Sequence, residues 1–552
     1  MERPTPHLPT AMDWENSMTG RPLPDLPTSL SRRQVLAGAG AVGVAALLPA
    51  CSQPGTAGST LAGPAAGQPK RGGTLRASCP PPPTAVDPVT MFDGPAIAIV
   101  QLVAEYLLWL DKDLKLVPRL AESWEPAEAG RRWTFKLRKG VAFSDGTPVD
   151  AATVRASFER LLDPKNKSAA LGAFRSILAP GSVTTTGADT VVFTLRRPFS
   201  DFPYLVSSGN YNTVILKQDY AGDFTKAAIG TGPFLLKSYD ATSGASFVRN
   251  ERYWDAGKPY LDGVQVRFYA DRQADLIALQ SGDVDTQLLS LPHLAKPLAG
   301  TGTISVDEAK GTNVTVLTMR VDQPPFNKKE VRQAIAYALD RPALLQSAGS
   351  GVGEIGNDHL IAPLFPAAPT GLPQRALDRQ KVTELLRAAG VGQLTFTLTF
   401  DPPNKDYAVT IQNQLKQAGI TVNLAQRTSA EFYGGDQAKD TPWLFTQANL
   451  VSWAGRAVPS QFIIPMVKSG GIWNGSKYAN PALDAAAEGY DNAATDAERK
   501  ARAEEIARIL HEDVPVVIPY WAGAVRAYNG KKVTGVQAHP SHSVDLSSVY
   551  QR

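Results

Sequence analysis

The sequence predicts an α/β protein built from two or three domains, and three observations lead to that prediction. The chain has 552 residues, which is too many for one compact hydrophobic core. Apolar residues make up 43% and charged residues 20%, the balance of an ordinary soluble globular protein. From about residue 72 onward, segments with helical periodicity alternate with segments of strand periodicity, which is typical of α/β domains.

The first distinctive segment is "SRRQVLAGAGAVGVAALLPAC", residues 31–51. Its apolar run, residues 35–48, is shorter than the roughly 20 residues that a membrane-spanning helix needs. A basic flank, a short apolar run and small residues at its end are typical of a cleavable export signal. The pair Arg32 and Arg33 resembles the twin-arginine signal, which exports folded proteins. We therefore expect residues 1–50 to be a twin-arginine lipoprotein signal peptide.

The end of this segment, "LPAC", resembles a bacterial lipobox, in which the cysteine becomes the lipidated first residue of the mature protein. A diacylated Cys51 would hold the protein stably at the outer face of the membrane, because two acyl chains anchor where one does not. Residues 52–70 are small and polar, so we expect 51–71 to be the lipidated cysteine and a flexible tether. The expected location is extracytoplasmic, lipid-anchored to the cell membrane, in a periplasm or on the outer cell surface.

The charge and the reactive side chains argue against several function classes. The net charge is only +4 and no basic cluster follows the export signal, so we expect no nucleic-acid partner. No "GxSxG" or "HExxH" motif occurs, and no serine or cysteine triad stands out, so we expect no catalytic residues and no cofactor. His539 and His542 form the only close histidine pair, but Pro540 between them denies them a regular helical face. We therefore expect no metal site.

Local patterns give the individual elements. "RRWTFKLRKGVAF" alternates apolar and polar residues as a strand does, and the helix after the turn "SDGTP" has Asp150 as a plausible N-cap. "ADLIALQSGDVD" predicts a helix that ends at Gly282. "DAERKARAEEIARIL" predicts a helix with Asp496 as candidate N-cap, and "PVVIPYW" predicts one apolar strand after it.

Several longer segments resemble the extracellular solute-binding proteins of the oligopeptide, dipeptide and nickel type, which work with ABC importers. They occur in the order and with the spacing of that family, and they span roughly residues 72–535. The matching segments are "LVPRLAESWEP" (Leu116–Pro126), "WTFKLRKGVAFSDGTPVDAATVRASFERLLDP" (Trp133–Pro164), "GTGPFLLKSY" (Gly230–Tyr239), "VRNERYWDAGKPYLDGVQVRF" (Val248–Phe268), "LIALQSGDVD" (Leu276–Asp285) and "PPFNKKEVRQAIAYALDRPALL" (Pro324–Leu345).

The resemblance implies a two-lobed, periplasmic-binding-protein-like α/β fold in which the lobes close over ligand about a hinge. It also implies an extra α/β domain beside lobe I. On this basis we expect lobe I to comprise residues 72–109, 230–305 and 521–552. The extra domain is then 110–229, and lobe II is 306–520.

The stretch "NLVSWAGRAVPSQF", Asn449–Phe462, is the most informative about ligand. In peptide-binding relatives, a tryptophan-containing segment here carries an aspartate that pairs with the amine of the peptide. Trp453 matches the tryptophan, but no carboxylate follows it. Arg456 stands there instead, and a guanidinium grips a carboxylate, phosphate or sulfate with two parallel bonds. The alternative is that Arg456 points to solvent or bonds a backbone carbonyl.

Four further residues are candidates for the ligand pocket. Trp473 and Tyr211 could offer aromatic faces to a ligand or could pack in the core. Asn210 and Asn313 are candidate hydrogen-bonding groups at segment ends that face the hinge.

The resemblance implies the extracytoplasmic substrate-binding component of an ABC importer, a protein that is not an enzyme. Its expected partners are a peptide or peptide-like small solute, the permease and ATPase subunits, and the membrane through Cys51, with the chain itself a monomer. One alternative is a binder of an anionic or N-blocked solute, such as an opine-like or glutamyl conjugate. Others are an exported hydrolase on the same scaffold and a receptor that signals to a membrane sensor.

Overall fold

A computed structural model describes residues 69–434 and 441–552. The predicted signal peptide, Arg32, Arg33, Cys51 and most of the tether fall outside these residues and stay predictions. Within the described ranges, no helix combines the length and the apolar character that crossing a bilayer requires.

The strands follow one another along the whole described chain. In chain order they are β1 (Thr74–Cys79), β2 (Leu108–Leu110), β3 (Leu116–Pro118), β4 (Ala121–Ala127), β5 (Arg132–Leu137), β6 (Val183–Thr186), β7 (Thr190–Thr194), β8 (Phe234–Asp240), β9 (Gly244–Arg249), β10 (Gly263–Phe268), β11 (Thr286–Gln287), β12 (Ile304–Met319), β13 (Gly353–Ile355), β14 (Thr395–Phe400), β15 (Thr421–Gln426), β16 (Ala448–Trp453), β17 (Val516–Val517), β18 (Tyr520–Asn529), β19 (Val533–Thr534) and β20 (Tyr550–Gln551).

Helices separate many of these strands, as the alternating pattern of the sequence predicts. In chain order they are α1 (Gly94–Val103), α2 (Ala151–Leu162), α3 (Leu171–Phe174), α4 (Phe202–Leu205), α5 (Arg272–Ser281), α6 (Pro292–Ala295), α7 (Lys329–Tyr337), α8 (Arg341–Ser347), α9 (Arg379–Ala388), α10 (Lys405–Gln417), α11 (Ser429–Tyr433), α12 (Ser460–Met466), α13 (Pro481–Asn492) and α14 (Asp496–Asp513).

One large sheet runs through the molecule in the order β15-β14-β16-β12-β18-β11-β1-β10-β9-β8, with β13 and β17 added on β18 and β12. The two long strands β12 and β18 join its halves. Residues 304–309 of β12 pair with β18, whereas residues 314–319 pair with β16. The buried side chains form separate clusters around the two halves, so each half has a core of its own.

The pairing of β12 with β18 is interrupted between Ala309 and Asn313. Two glycines lie at this bulge because the backbones approach too closely for a side chain. A Cβ on Gly311 would lie 2.1 Å from the carbonyl oxygen of Ala522, and one on Gly523 would lie 2.5 Å from that of Ala309. The bulge therefore marks the point where the two halves of the sheet join.

A smaller sheet, in the order β4-β5-β7-β6, packs its aromatic side chains into the core that also contains side chains of β1, β8, β9 and β10. Phe193 meets Phe158 at 4.8 Å and Phe202 at 5.1 Å between ring centroids. Helix α2 covers this sheet and is capped as predicted, since Asp150 accepts the N–H of Thr153 at 2.8 Å.

Two local predictions were wrong. Helix α14 begins at Asp496, but its N-cap is Thr495, which forms a reciprocal capping box with Glu498. The predicted single strand "PVVIPYW" is split into β17 and the start of β18. Pro519 has no N–H to give, and the N–H of Ile518 is taken by the buried carboxylate of Asp358 at 2.9 Å.

Candidate ligand-binding site

The segment that follows β16 is bonded directly to the bulge of β12. The backbone N–H of Gly455 donates to Asn313 Oδ1 at 2.7 Å, and Thr312 Oγ1 donates to the carbonyl oxygen of Arg456 at 2.8 Å. These two bonds fix the backbone of residues 455–456 at the junction of the sheet halves. Arg456 therefore lies between the two separately packed halves of the molecule.

Arg456 is half-buried, and its guanidinium has no protein partner among the described residues. In residues 69–434 and 441–552 it makes no ion pair and no hydrogen bond, and the bond from Thr312 uses only its backbone. Burial lowers the pKa of Arg456, and the phenol of Tyr211 is the nearby group that opposes this shift. A cation that is partly removed from water and left unpaired is unfavourable, which makes Arg456 a candidate to bind an acceptor from outside the chain.

Tyr211 lies near Arg456, in the loop after α4, and Asn210 precedes it in this loop. This loop touches the segment after Arg456, because a Cβ on Gly209 would lie 2.9 Å from Ala457 Cβ. The phenol of Tyr211 is partly exposed, and burial raises its pKa while Arg456 lowers it. The side-chain Nδ2 of Asn210 is buried and has no hydrogen-bond partner among the described residues. Of these two residues, Tyr211 is the one whose charge interaction with Arg456 places it near the guanidinium.

Asn313 also contacts a residue that sequence reasoning missed as a ligand-binding candidate. Its Nδ2 lies 3.4 Å from His542 Nε2, and the imidazole is partly exposed. Burial and the charge of Arg526 lower the pKa of His542 to about 4. No local sequence pattern predicts this contact, because it joins residues that are 229 positions apart.

Both ring nitrogens of His539 are engaged in hydrogen bonds. His539 Nε2 donates to the carbonyl oxygen of Leu110 at 2.9 Å, and its Nδ1 accepts the N–H of Ser541 at 3.2 Å. Across the described residues, no group of three histidine, cysteine or acidic side chains could hold a metal ion.

Trp453 and Trp473 form a second group of aromatic side chains, and Trp453 lies in the same segment as Arg456. Trp453 is 8% exposed and meets Trp473 edge-on at 5.6 Å and Trp443 at 6.4 Å between ring centroids. Its indole Nε1 is buried and finds no hydrogen-bond partner in the part of the chain that the structure describes. Trp473 is 36% exposed and so presents part of its ring at the surface. Trp453 supports Trp473 from the core, and only Trp473 is open to a ligand.

A cavity of about 210 Å³ begins one residue beyond Arg456. The residues that line it come from both halves of the molecule and include Asp201, Tyr204, Ala457, Val458, Tyr490 and Arg499. Asp201 and Arg499 form an ion pair across it at 2.9 Å. Burial raises the pKa of Asp201 to about 6 despite this partner.

The fold has clear relatives among solved structures. HbpA2 from Haemophilus parasuis superposes with a TM-score of 0.76 at 22% identity, covering 87% of this chain and 100% of the other. The oligopeptide-binding protein AppA from Bacillus subtilis, in complex with a nonapeptide, gives a TM-score of 0.68 at 22% identity, covering 88% and 100%. These matches confirm the predicted two-lobed α/β fold of the periplasmic binding proteins.

The sequence itself has relatives that bind solutes. The glutathione-binding protein GsiB of Escherichia coli (strain K12) is 29% identical over 373 residues, which are 66% of this chain and 72% of the relative. The family model of the bacterial extracellular solute-binding proteins, family 5 Middle, matches residues 115–474. That family consists of binding proteins rather than enzymes, as the resemblance implied. The chain belongs to the bacterial extracellular solute-binding proteins of family 5, the group that includes the oligopeptide, dipeptide and nickel binders.

Proposed function

We propose that this protein is the extracytoplasmic substrate-binding component of an ABC importer and that it captures a small anionic, peptide-like solute between its lobes. The observation that supports this ligand class most is the half-buried guanidinium of Arg456, which has no partner in the described part of the chain. It stands in the segment where the family resemblance implies an amine-binding aspartate.

The groups around Arg456 favour a ligand rich in acceptors. The guanidinium can hold a carboxylate through two parallel bonds, and the partly exposed phenol of Tyr211 can add a further donor. None of Tyr211, Asn313, Arg456 and His542 carries a negative charge. An ammonium placed among them would meet a like charge and no compensating carboxylate, which is unfavourable in a partly buried site.

A glutamyl conjugate fits this chemistry and agrees with the relatives. Glutathione, the solute named for GsiB, is a γ-glutamyl peptide with two carboxylates, one ammonium and a net negative charge, so its glycine carboxylate can meet Arg456 while the ammonium stays at the other end. An opine-like conjugate is the second candidate, because it also carries more than one carboxylate. An ordinary short peptide is the comparison ligand.

The ligand would bind best when both lobes contact it, so that binding favours closure about the β12–β18 junction. We propose lobe I as residues 72–109, 230–305 and 521–552, the extra domain as 110–229 and lobe II as 306–520. Trp473 would offer an aromatic face at the lobe II side of the cleft. The partner ATPase, not this chain, would hydrolyse ATP.

Membrane attachment completes the proposal. Residues 1–50 would direct export by the twin-arginine route, and the lipidated Cys51 with its tether would hold a monomeric receptor near the permease. Labelling of growing cells with a radioactive or clickable fatty acid tests this part. The wild-type chain should incorporate the label and Cys51→Ala should not.

A thermal-shift panel tests the ligand class. The purified full-length protein is heated with glutathione, with an opine-like conjugate and with trialanine, each at the same concentration. A tight ligand raises the melting temperature by mass action. The proposal predicts a shift with the first or second compound that exceeds the shift with trialanine. A larger shift with trialanine would contradict it.

A further inference from the structure

The C-terminal segment brings a histidine to the same group of residues as Arg456. His542 is joined through Asn313 to the segment that carries Arg456, because Asn313 contacts both His542 and the N–H of Gly455. Asn313 Oδ1 is occupied by that N–H at 2.7 Å, so its NH₂ group faces His542. His542 Nε2 therefore accepts a hydrogen, and the ring proton lies on Nδ1.

The Nδ1–H of His542 has no hydrogen-bond partner in the described residues, and the side chain is partly exposed. Burial together with Arg526 lowers the pKa of His542 to about 4, so the ring is neutral at neutral pH. Arg526 is buried behind the same segment, with its Nη2 donating to the carbonyl oxygen of Ser543 at 3.2 Å. The ring thus offers one unused donor in a positively charged surrounding.

Hydrogen bonds hold the turn at residues 539–542, which carries this ring. The N–H of His542 donates to the carbonyl oxygen of His539 at 2.9 Å, and His539 Nε2 is held by Leu110. His542 itself has a φ of 58°, a left-handed conformation that residues with a side chain rarely adopt. A donor held in place before a ligand arrives binds it at a smaller entropic cost.

We infer that His542 is a specificity-determining residue of the ligand site, whose Nδ1–H donates to a second acceptor group of the solute held at Arg456. This inference rests on the proposed function. It adds that the solute carries two acceptor ends, such as two carboxylates or a carboxylate and an amide carbonyl. One end would meet the guanidinium and the other the imidazole.

Calorimetric titration of full-length variants tests this assignment with glutathione and its glycine ethyl ester as probes. His542→Phe removes the donor, and His542→Asn keeps a residue that tolerates the left-handed backbone but shortens the side chain. His293→Phe, at an exposed histidine, is the matched control. We expect both His542 variants to bind glutathione at least about tenfold more weakly and the control to bind like wild type. A melting temperature close to wild type shows that a variant is folded.

The ester separates the two ends of the solute. Arg456→Ala and His542→Asn are each titrated with both probes. The ester removes the charge of one carboxylate, so only the residue that binds this end loses its partner. Substituting that residue should weaken the binding of glutathione but not of the ester, whereas the other substitution should weaken the binding of both. Unchanged glutathione affinity in both His542 variants would overturn this inference alone, provided that Arg456→Ala still weakens binding. A wild type that binds neither glutathione nor an opine-like dicarboxylate would overturn it together with the proposed ligand class.

Discussion

Gly455 donates its backbone N–H to Asn313 Oδ1 at 2.7 Å, and this bond ties the segment that carries Arg456 to the bulge of β12. Asn313 is thereby a bridge between the strand that joins the two sheet halves and the candidate anion site. Any change in how β12 and β18 cross would move Arg456 as well. The geometry links the candidate anion site to the β12–β18 junction.

Asn313→Asp should weaken anion binding without unfolding the protein. The aspartate keeps an oxygen for the N–H of Gly455, but it places a negative charge beside the site. Repulsion of a carboxylate ligand should lower the affinity for glutathione by at least about tenfold in calorimetric titration. Asn166→Asp makes the same change at an exposed position and should have no effect. An Asn313→Asp variant with wild-type affinity would show that the ligand does not approach this residue.

Asp201→Asn should become more stable relative to wild type as the pH rises. Burial raises the pKa of Asp201 to about 6 in the folded protein, whereas an unperturbed aspartate titrates near 3.8. The folded state therefore holds this proton more tightly. The stabilisation that the proton provides is complete below about pH 4 and is lost as the pH rises through 6.

The asparagine variant has no carboxyl proton to lose, so it does not lose stability in this way as the pH rises. Its free energy of unfolding relative to wild type should rise by up to about 3 kcal/mol between pH 4 and pH 7, measured by urea denaturation. Asp113→Asn, at an exposed aspartate, is the control and should show no such change. A difference that falls with pH would mean that Arg499, 2.9 Å away, outweighs the burial of Asp201.

Gly311→Ala should destabilise the strand crossing. The added Cβ would lie 2.1 Å from the carbonyl oxygen of Ala522, so β12 and β18 must move apart. We expect a loss of about 1–3 kcal/mol in unfolding free energy, the usual cost of overpacking. Gly172→Ala is the matched control, because nothing lies within 4 Å of the added atom. Equal stability of the two variants would show that the crossing is looser than its geometry indicates.

Substituting Trp453 should mainly lower the stability of the protein, whereas substituting Trp473 should mainly lower its affinity for ligand. Trp453→Ala empties a buried site and should cost about 3–5 kcal/mol of unfolding free energy. Trp473 is 36% exposed, so Trp473→Ala should cost far less stability but should weaken ligand binding through the lost aromatic face. Denaturation and titration of both variants check this. Unchanged affinity in Trp473→Ala would assign that ring to packing alone.

Local chemistry made part of the structure predictable. Asp150 and Gly282 act within one helical turn, and both behave as the sequence predicts: Asp150 caps α2, and Gly282, with a φ of 80°, ends α5. Thr495 and Asp496 are adjacent capping residues, and periodicity cannot choose between them. The capping box with Glu498 decides for Thr495.

Within the proposed site, one segment carries a signal in the sequence. Where the resemblance implies a carboxylate after Trp453, this chain has Arg456, which favours an anionic ligand. His542 could not be found in this way. Its contact with Asn313 depends on the pairing of β18 with β12 and on the turn that follows, and both are set by tertiary packing.

Calorimetric titration of glutathione into wild type, Arg456→Ala and Arg387→Ala tests the central claim most directly. Truncating one partner of a buried charge pair costs about 2–5 kcal/mol, so Arg456→Ala should bind at least about 30-fold more weakly than wild type. Arg387→Ala removes an exposed arginine and should bind like wild type. Equal affinity of Arg456→Ala and wild type would contradict the claim that this guanidinium holds the solute.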